Sequence, residues 1–277
     1  MKRYRVLSFD FDARIHTLTL AIQEEWEEGI KEQHQQAKHS VEGGLVYAYG
    51  VQAKDAKLQN FIELGDKPFS ILAFHNPFFE QLRTAFVMGA YYPALTAVCS
   101  LGERILNYLV LVLRDDYVAT PEYKHVYRKE SFDNWDLPID TLESWEVLLP
   151  NVAAEFRRLK EMRNRAIHFR PEVDHNDREL ALQAVRSLRE IIRTQFSAFG
   201  PEPWFITSIP GEIYIKKDWE IRPFIRKVYL PNCRLVGPKH SLEIVAQQFL
   251  VKDDEAYADR EITDEEFADL RRNPVAG

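Results

Sequence analysis

Residues 95–113 read LTAVCSLGERILNYLVLVL, and apolar or small residues recur along this stretch at alternating steps of four and three. This spacing lines one face of an α-helix. Ile105, Val110 and Leu111 widen the stripe beyond one face, which indicates a helix buried on more than one side. Its uninterrupted apolar runs are far shorter than the roughly 20 residues that cross a bilayer. The stretch therefore predicts the central core helix of the fold and no membrane span.

The sequence also predicts what precedes the core helix, where it begins and how it packs. A shorter helix is expected over 79–90, directly before it. Pro93 suits the start of the core helix, because a proline in the first position loses no intrahelical hydrogen bond. Gly102 in the middle costs about 1 kcal/mol of helix propensity, a loss usually tolerated where two helices approach closely. The sequence therefore predicts tight packing against Gly102.

The pattern stays helical after the core helix. Residues 115–150 contain three prolines and are expected to form a long connection with short helical pieces. A helix is predicted over 152–168, because Pro171 disfavours helical geometry in the residue before it. Asn176 can cap a last long helix, and the Gly-Pro pair at 200–201 ends it.

The two ends of the chain follow other patterns. Residues 1–76 predict an α+β region with a helix over about 15–39 and strands over 5–11, 45–49 and 69–74. Residues 201–252 predict a small β unit with strands over 204–209, 212–215, 221–228 and 234–236. Residues 253–277 form an acidic tail in which Thr263 and Glu266 have the capping-box spacing of a short terminal helix. With a helical domain over 77–200, these regions predict an α+β fold that is mainly α.

The composition is typical of a folded intracellular protein. Of 277 residues, 45% are hydrophobic and 29% are charged, which excludes wholesale disorder. Cys99 and Cys233 are the only cysteines and lie far apart, so neither a disulfide framework nor a four-cysteine zinc site can form. The acidic residues of Phe9-Asp10-Phe11-Asp12 interrupt the apolar stretch that a signal peptide needs. We therefore expect a cytoplasmic protein.

A basic cluster stands out against the net charge of −7. Residues 157–170 hold one acid, Glu161, and six bases, for a local charge of +5; the bases are Arg157, Arg158, Lys160, Arg163, Arg165 and Arg170. Backbone phosphates are the commonest partner of such clusters. RNA also offers a 2′-hydroxyl that a suitable base can direct at the adjacent phosphodiester. The cluster therefore predicts contact with RNA.

Arg163 is placed unusually within this cluster. It follows the apolar residues of its helix at steps of four and three, so it lies on the apolar stripe. A charge there needs a partner or a function, because an unpaired buried charge costs several kcal/mol. His168 is displaced from Arg163 by about 140° and about 7.5 Å on an ideal helix. The two side chains converge only if the helix bends or ends between them, and Pro171 indicates such an end.

Residues 163–168, RNRAIH, resemble the R-x4-6-H motif of the HEPN superfamily, including the polar residue directly after the arginine, Asn164. Members of that family fold as a helical bundle, with the motif near the end of one helix. A long apolar helix that often carries a glutamate precedes it, a position that Glu103 occupies here. Another long helix follows. The resemblance covers about 77–199 and neither flanking region.

The resemblance implies metal-independent RNA cleavage, without a cofactor, in a site that two protomers share. It implies that His168 transfers a proton, that Arg163 stabilises charge on the phosphate, and that Asn164 orients the motif. The other bases of the cluster would then bind RNA: Arg157, Arg158, Lys160, Arg165 and Arg170. The expected protein is a homodimeric, toxin-like or phage-defence effector.

A second interpretation stays open. In a catalytically silent HEPN module for protein interaction or RNA binding, Arg163 simply pairs with Glu103 or another acid. The neighbouring arginines would then form a solvated face. On either interpretation the flanking regions are candidates for contact with a protein partner or regulator.

Other chemistries have weaker support. Residues 6–12 resemble the apolar strand and D-x-D opening of haloacid-dehalogenase phosphatases, but Arg14 stands where a threonine is needed and no doubly wound pattern follows. Two sets of possible zinc ligands have no recurring spacing: His168 with Asp174 and His175, and Cys233 with His240. Glycine-rich phosphate loops, HExxH and nucleophile elbows are absent from the sequence.

Overall fold

A computed structural model of the chain describes residues 1–167, 177–245 and 248–273. Helices account for 57% of the structure and strands for 12%. The predicted class, α+β and mainly α, is therefore confirmed. One continuous hydrophobic core runs from the N-terminal elements through the central helices to the C-terminal region, and a smaller cluster lies beneath the last helix.

The N-terminal region alternates between strands and helices: β1 (Arg3–Val6), β2 (Phe9–Asp12), α1 (Arg14–Thr19), α2 (Glu28–Tyr49), α3 (Lys54–Leu64) and β3 (Lys67–Ile71). The single strand expected over 5–11 is wrong, because β1 and β2 belong to different sheets. The strand expected over 45–49 is also wrong. Val41, Leu45 and Tyr49 all contact the core, and their spacing of four residues belongs to a helix.

The central helices are α4 (His75–Val87), α5 (Tyr91–Leu113), α6 (Tyr123–Val126), α7 (Asp136–Ser144), α8 (Pro150–Ile167) and α9 (Arg178–Gln195). The predicted core helix is confirmed as α5, which packs against α4, α7, α8 and α9. Within the described ranges, α5 is the one helix long and apolar enough to cross a membrane by length and composition, and half of its most apolar window is buried inside the protein.

Gly102 is the point of closest approach within this bundle. A Cβ atom on Gly102 would lie 2.8 Å from the Trp135 ring and 3.0 Å from Leu159 Cδ2. Trp135 precedes α7 and Leu159 belongs to α8. The tight packing predicted at Gly102 is therefore confirmed, because a side chain there would displace both neighbours.

The cap of α9 lies one residue after the predicted position. The Asp177 carboxylate accepts a hydrogen bond of 2.8 Å from the Leu180 backbone N–H. Asn176 lies outside the described residues, and the prediction that it caps α9 is wrong. The pattern favours both side chains equally, because Asn and Asp are comparable N-cap residues.

The C-terminal region contains β4 (Phe205–Ile206), β5 (Tyr214–Ile215), β6 (Cys233–Val236), β7 (Ser241–Val245), β8 (Gln248–Lys252) and α10 (Asp264–Arg272). The strand expected over 221–228 is wrong. A short π-helix covers Ile225–Tyr229 and buries Ile225, Val228 and Tyr229, whose spacing of three and one is that of a helical turn. The capping box of Thr263 and Glu266 is confirmed at the start of α10.

One antiparallel sheet joins the two ends of the chain. Its strand order is β4-β5-β1-β6, so β1 lies between strands from the C-terminal region. Arg3 of β1 is fully buried and donates hydrogen bonds to the Asp264 carboxylate and the Ile262 carbonyl oxygen. Part of the acidic tail is therefore bound to the first strand. The remaining strands form two pairs, β2 with β3 and β7 with β8.

Candidate functional site

Arg163 lies near the C-terminal end of α8 and faces α5. Its Nη2 donates a hydrogen bond of 3.3 Å to Glu103 Oε2. Its guanidinium carbon lies 5.8 Å from the centre of the Trp135 ring, within the range of a cation–π interaction. The side chain remains 23% exposed. The predicted position on the apolar stripe therefore becomes a partly buried cation with two partners and access to solvent.

Glu103 links the three elements that meet here. The oxygen that accepts from Arg163 also accepts the Trp135 indole N–H at 3.1 Å. Trp135 itself is 1% exposed and packs against Gly102, so its ring is held in place. We call these three residues the Arg163–Glu103–Trp135 cluster. Glu103 and Trp135 both contact the guanidinium at the junction of α5, α7 and α8.

A cysteine lies one helical turn before Glu103. Burial raises the pKa of the Cys99 thiol to about 12, with the charge of Arg163 opposing the shift and that of Glu103 adding to it. The thiol is therefore neutral near pH 7 and does not supply a thiolate nucleophile to the cluster.

The predicted basic cluster is largely paired with acids. Arg157 donates to Asp140 at 2.8 Å and also to Glu143. Lys160 donates to Asp136. The acids all belong to α7, which packs beside α8. The local charge of +5 counted along the sequence is therefore partly neutralised across the α7–α8 interface.

The other predicted residues are placed as follows. Arg158 lies 3.6 Å from Glu155 of its own helix. Asn164 is half-buried. Arg165 is exposed and forms no ion pair with any described residue. His168 and Arg170 lie outside the described residues, as do Pro171, Asp174 and His175. The structure thus brings Arg163 and Glu103 together, and the assigned roles of the remaining residues stay predictions.

Trp135 is a residue of the cluster that the sequence analysis missed. It lies in the connection over 115–150, where no periodic pattern assigns a face to any residue. The available signal was the close approach expected at Gly102, which does not identify the neighbouring residue. Only the folded chain shows that the Trp135 ring fills that position.

The residues behind the other possible chemistries have ordinary partners within the fold. Asp10 pairs with Lys67 at 2.6 Å, and Asp12 pairs with Arg14 at 2.8 Å. His240 Nδ1 lies 2.7 Å from the Gly237 carbonyl oxygen. No group of three or more His, Cys, Asp or Glu side chains is arranged to hold a metal ion in the part of the chain that the structure describes.

Comparisons with known proteins do not identify a family for this chain. No protein-family model matches the sequence, and no curated protein or solved structure matches it either. The HEPN resemblance therefore depends on the sequence of residues 163–168 and on Glu103.

Proposed function

We propose that the protein is a metal-independent endoribonuclease of HEPN type, which acts in the cytoplasm as a toxin-like or phage-defence effector. The observation that carries the proposal is the state of Arg163. Its guanidinium is oriented by Glu103 and Trp135, yet the side chain keeps access to solvent. A cation that is oriented in advance and still accessible suits a site where negative charge develops during a reaction.

The hydrogen bonding of Arg163 leaves donors for a substrate. A guanidinium carries five N–H donors, and Glu103 engages the Nη2 group. The remaining donors can hold two oxygens of a phosphodiester in the paired geometry that arginine favours. Arg163 then stabilises the charge that accumulates on the phosphate oxygens in the transition state.

His168 supplies the proton transfer in this proposal. It removes the proton of a 2′-hydroxyl as that oxygen bonds to the adjacent phosphorus, and the bond from phosphorus to the 5′-oxygen breaks. A proton delivered to the leaving oxygen completes the step, which gives a 2′,3′-cyclic phosphate and a 5′-hydroxyl. The near-neutral pKa of a histidine suits both transfers. No metal ion or cofactor is required.

The proposed enzyme is a homodimer. One copy of Arg163 and His168 forms half of the shared site that the family resemblance implies, and two-fold symmetry is the commonest arrangement of homo-oligomers. Mass measurement in solution tests this part of the proposal. A strict monomer at micromolar concentration, while the protein still cleaves RNA, would contradict a shared site.

RNA cleavage in EDTA tests the activity. Purified protein is incubated with total RNA, and the new ends are identified chemically. We expect 2′,3′-cyclic phosphate ends, a loss of rate of about 10²-fold or more in His168→Ala, and poor cleavage with nearly unchanged melting in Arg163→Lys, since lysine keeps the charge but loses the planar fork. Arg193→Lys, an exposed change on α9, is the matched control.

A second function is favoured by the pairing seen around the cluster. Arg163, Arg157 and Lys160 all have acidic partners, as expected of a catalytically silent HEPN module. In that case the wild type cleaves no RNA at all, and the measurable effect of Arg163→Ala is a loss of stability. Retention of full activity by both His168→Ala and Arg163→Lys would also contradict the ribonuclease proposal.

A further inference from the structure

An aromatic pocket lies at the opposite end of α8 from Arg163. Two segments line it, the connection before α8 and the region after α9. We define the pocket by five rings and the two charged residues beside them: Tyr117, Trp145, Trp204, Trp219, Phe224, Glu146 and Arg222. Its cavity measures about 70 Å³, several times the 10–15 Å³ or so that one water molecule requires. The pocket is therefore larger than a water site, and the edge of a flat group can enter it.

The walls of the pocket are formed before any ligand binds. Tyr117 and Trp145 stack in parallel, with ring centres 4.4 Å apart and an angle of 2° between their planes. The Trp145 indole N–H donates a hydrogen bond of 2.9 Å to Thr120 Oγ1, which fixes that ring. Across the pocket, Trp204 packs edge-on against Trp219 with ring centres 5.8 Å apart. Such rigid aromatic surfaces bind ligands at low entropic cost.

Glu146 and Arg222 carry opposite charges beside these rings. Their side chains are 3.8 Å apart and remain 81% and 58% exposed, so the ion pair is weak and either group is free to bind a ligand. The Arg222 guanidinium carbon also lies 5.7 Å from the Trp219 ring centre. Glu146 has a φ of 55°, which is uncommon for a residue other than glycine. Its neighbours Trp145 and Val147 are buried and hold it in that conformation.

These charges decide which class of ligand the rings suit. Aromatic pockets bind methylated ammonium groups or flat heterocycles. Arg222 already occupies the cation position over Trp219, so a methylated ammonium group would have to displace it. A nucleotide satisfies all of the groups, because its base stacks on Trp219, the half-exposed indole among them, its phosphate faces Arg222, and an amino or imino N–H of the base donates to Glu146.

We infer that the aromatic pocket binds one nucleobase of a single-stranded RNA, with the adjoining phosphate at Arg222. This inference rests on the proposed function. Leu149 lines the pocket immediately before α8, and Arg163 lies about 20 Å further along the helix at 1.5 Å per residue. A base held in the pocket would therefore set which phosphodiester, several nucleotides away, reaches Arg163.

Tryptophan fluorescence tests the pocket without any need for cleavage. The protein is titrated with AMP, CMP, GMP and UMP, and with ribose 5-phosphate as the control that lacks a base. We expect at least one nucleotide to quench the fluorescence saturably and ribose 5-phosphate to have no effect. Trp219→Ala should weaken nucleotide binding about fivefold or more, and Trp219→Phe should retain most of it, because stacking needs a ring.

Arg222→Gln gives a second, independent variant at an exposed position. It should weaken the binding of the quenching nucleotide and leave the binding of the matching nucleoside unchanged, because only the nucleotide carries a phosphate. Quenching by tetramethylammonium but by no nucleotide would overturn the inference in favour of a cation site. Equal quenching by ribose 5-phosphate would overturn it as well.

RNA cleavage separates this inference from the proposed function. Trp219→Ala should raise the KM for long RNA and leave kcat unchanged, and a dinucleotide too short to reach the pocket should be cut at the wild-type rate. If the wild type cuts RNA but no nucleotide quenches and Trp219→Ala cuts like wild type, the pocket inference is overturned and the ribonuclease stands. If nucleotides quench but no RNA is cut, the pocket is supported and the ribonuclease is overturned.

Discussion

Arg163 of α8 and Glu103 of α5 share a hydrogen bond of 3.3 Å, and the same Glu103 oxygen accepts the indole N–H of Trp135. The carboxylate therefore neutralises the charge of a partly buried guanidinium and also accepts the hydrogen bond of a buried indole N–H. A substitution that removes the charge of Glu103 but keeps an acceptor for Trp135 separates its structural role from its proposed role in positioning Arg163.

Glu103→Gln and Glu103→Ala should differ in stability. The amide oxygen of glutamine still accepts the Trp135 N–H, and the ion pair with Arg163 is partly exposed, so Glu103→Gln should lower the free energy of unfolding by less than about 1 kcal/mol. Alanine leaves a buried donor unpaired and should cost about 1–3 kcal/mol. Urea unfolding measures both. If Glu103 positions Arg163, Glu103→Gln also lowers kcat for RNA cleavage; an unchanged kcat would contradict that role.

Gly102→Ala should destabilise the protein although alanine is the better helix former. The added methyl group would lie 2.8 Å from the Trp135 ring and 3.0 Å from Leu159, and such overpacking typically costs about 1–3 kcal/mol. Gly44→Ala on α2 is the matched control, because nothing lies within 4 Å of its Cβ position. That variant should gain about 0.5–1 kcal/mol. Equal effects of the two substitutions in thermal unfolding would show that packing at Gly102 is loose.

Glu202 should make the protein less stable as the pH rises. The residue is 8% exposed, and its Oε2 has no hydrogen-bond partner among the described residues. Burial raises the pKa of Glu202 from 4.5 to about 7, although hydrogen bonds from its backbone and from Ser197 oppose the shift. The folded state therefore favours the protonated form, and this stability is complete below pH 4.5 and is lost as the pH rises through 7.

Glu202→Gln tests this dependence, because glutamine cannot ionise. Between pH 5 and pH 8 the variant should gain up to about 3 kcal/mol relative to wild type. Parallel changes of the two proteins, measured by urea unfolding at several pH values, would show that Glu202 ionises at its ordinary pKa.

His75 should have the opposite dependence. It is fully buried, and neither ring nitrogen has a hydrogen-bond partner among the described residues. Burial and the charge of Lys67 lower the pKa of His75 from 6.5 to about 3. The folded state therefore holds the neutral ring, so this contribution to stability is present above pH 6.5 and is lost as the pH falls toward 3.

His75→Phe removes the titration and keeps an aromatic ring beside Phe74 and Phe196. Relative to wild type, the variant should gain about 2 kcal/mol in free energy of unfolding between pH 7 and pH 5. His34→Phe is the control, since His34 lies on the half-exposed face of α2. The same gain in both variants would contradict a special role of burial at His75.

Local patterns predicted much of the helical framework. The period of 95–113 identified α5, Gly102 indicated the tight helix contact, and Thr263 with Glu266 identified the start of α10. Each of these signals lies within a few turns of one helix, where spacing fixes which side chains share a face. Short runs were less informative. Residues 45–49 and 221–228 look like strands because a few apolar residues fit a period of two as well as a helical turn.

The spacing of apolar residues in α8 was enough to predict that Arg163 lies on an apolar helix face and therefore needs a partner. The packing of the helices and strands shows that Glu103 and Trp135 are those partners and that acids of α7 neutralise Arg157 and Lys160. It also shows that β1 pairs with strands from the far end of the chain. Periodicity encodes contacts between near neighbours in the chain. Which distant charges meet depends on how the helices pack, because the Coulomb energy of a pair depends on its distance and burial and not on its separation in sequence.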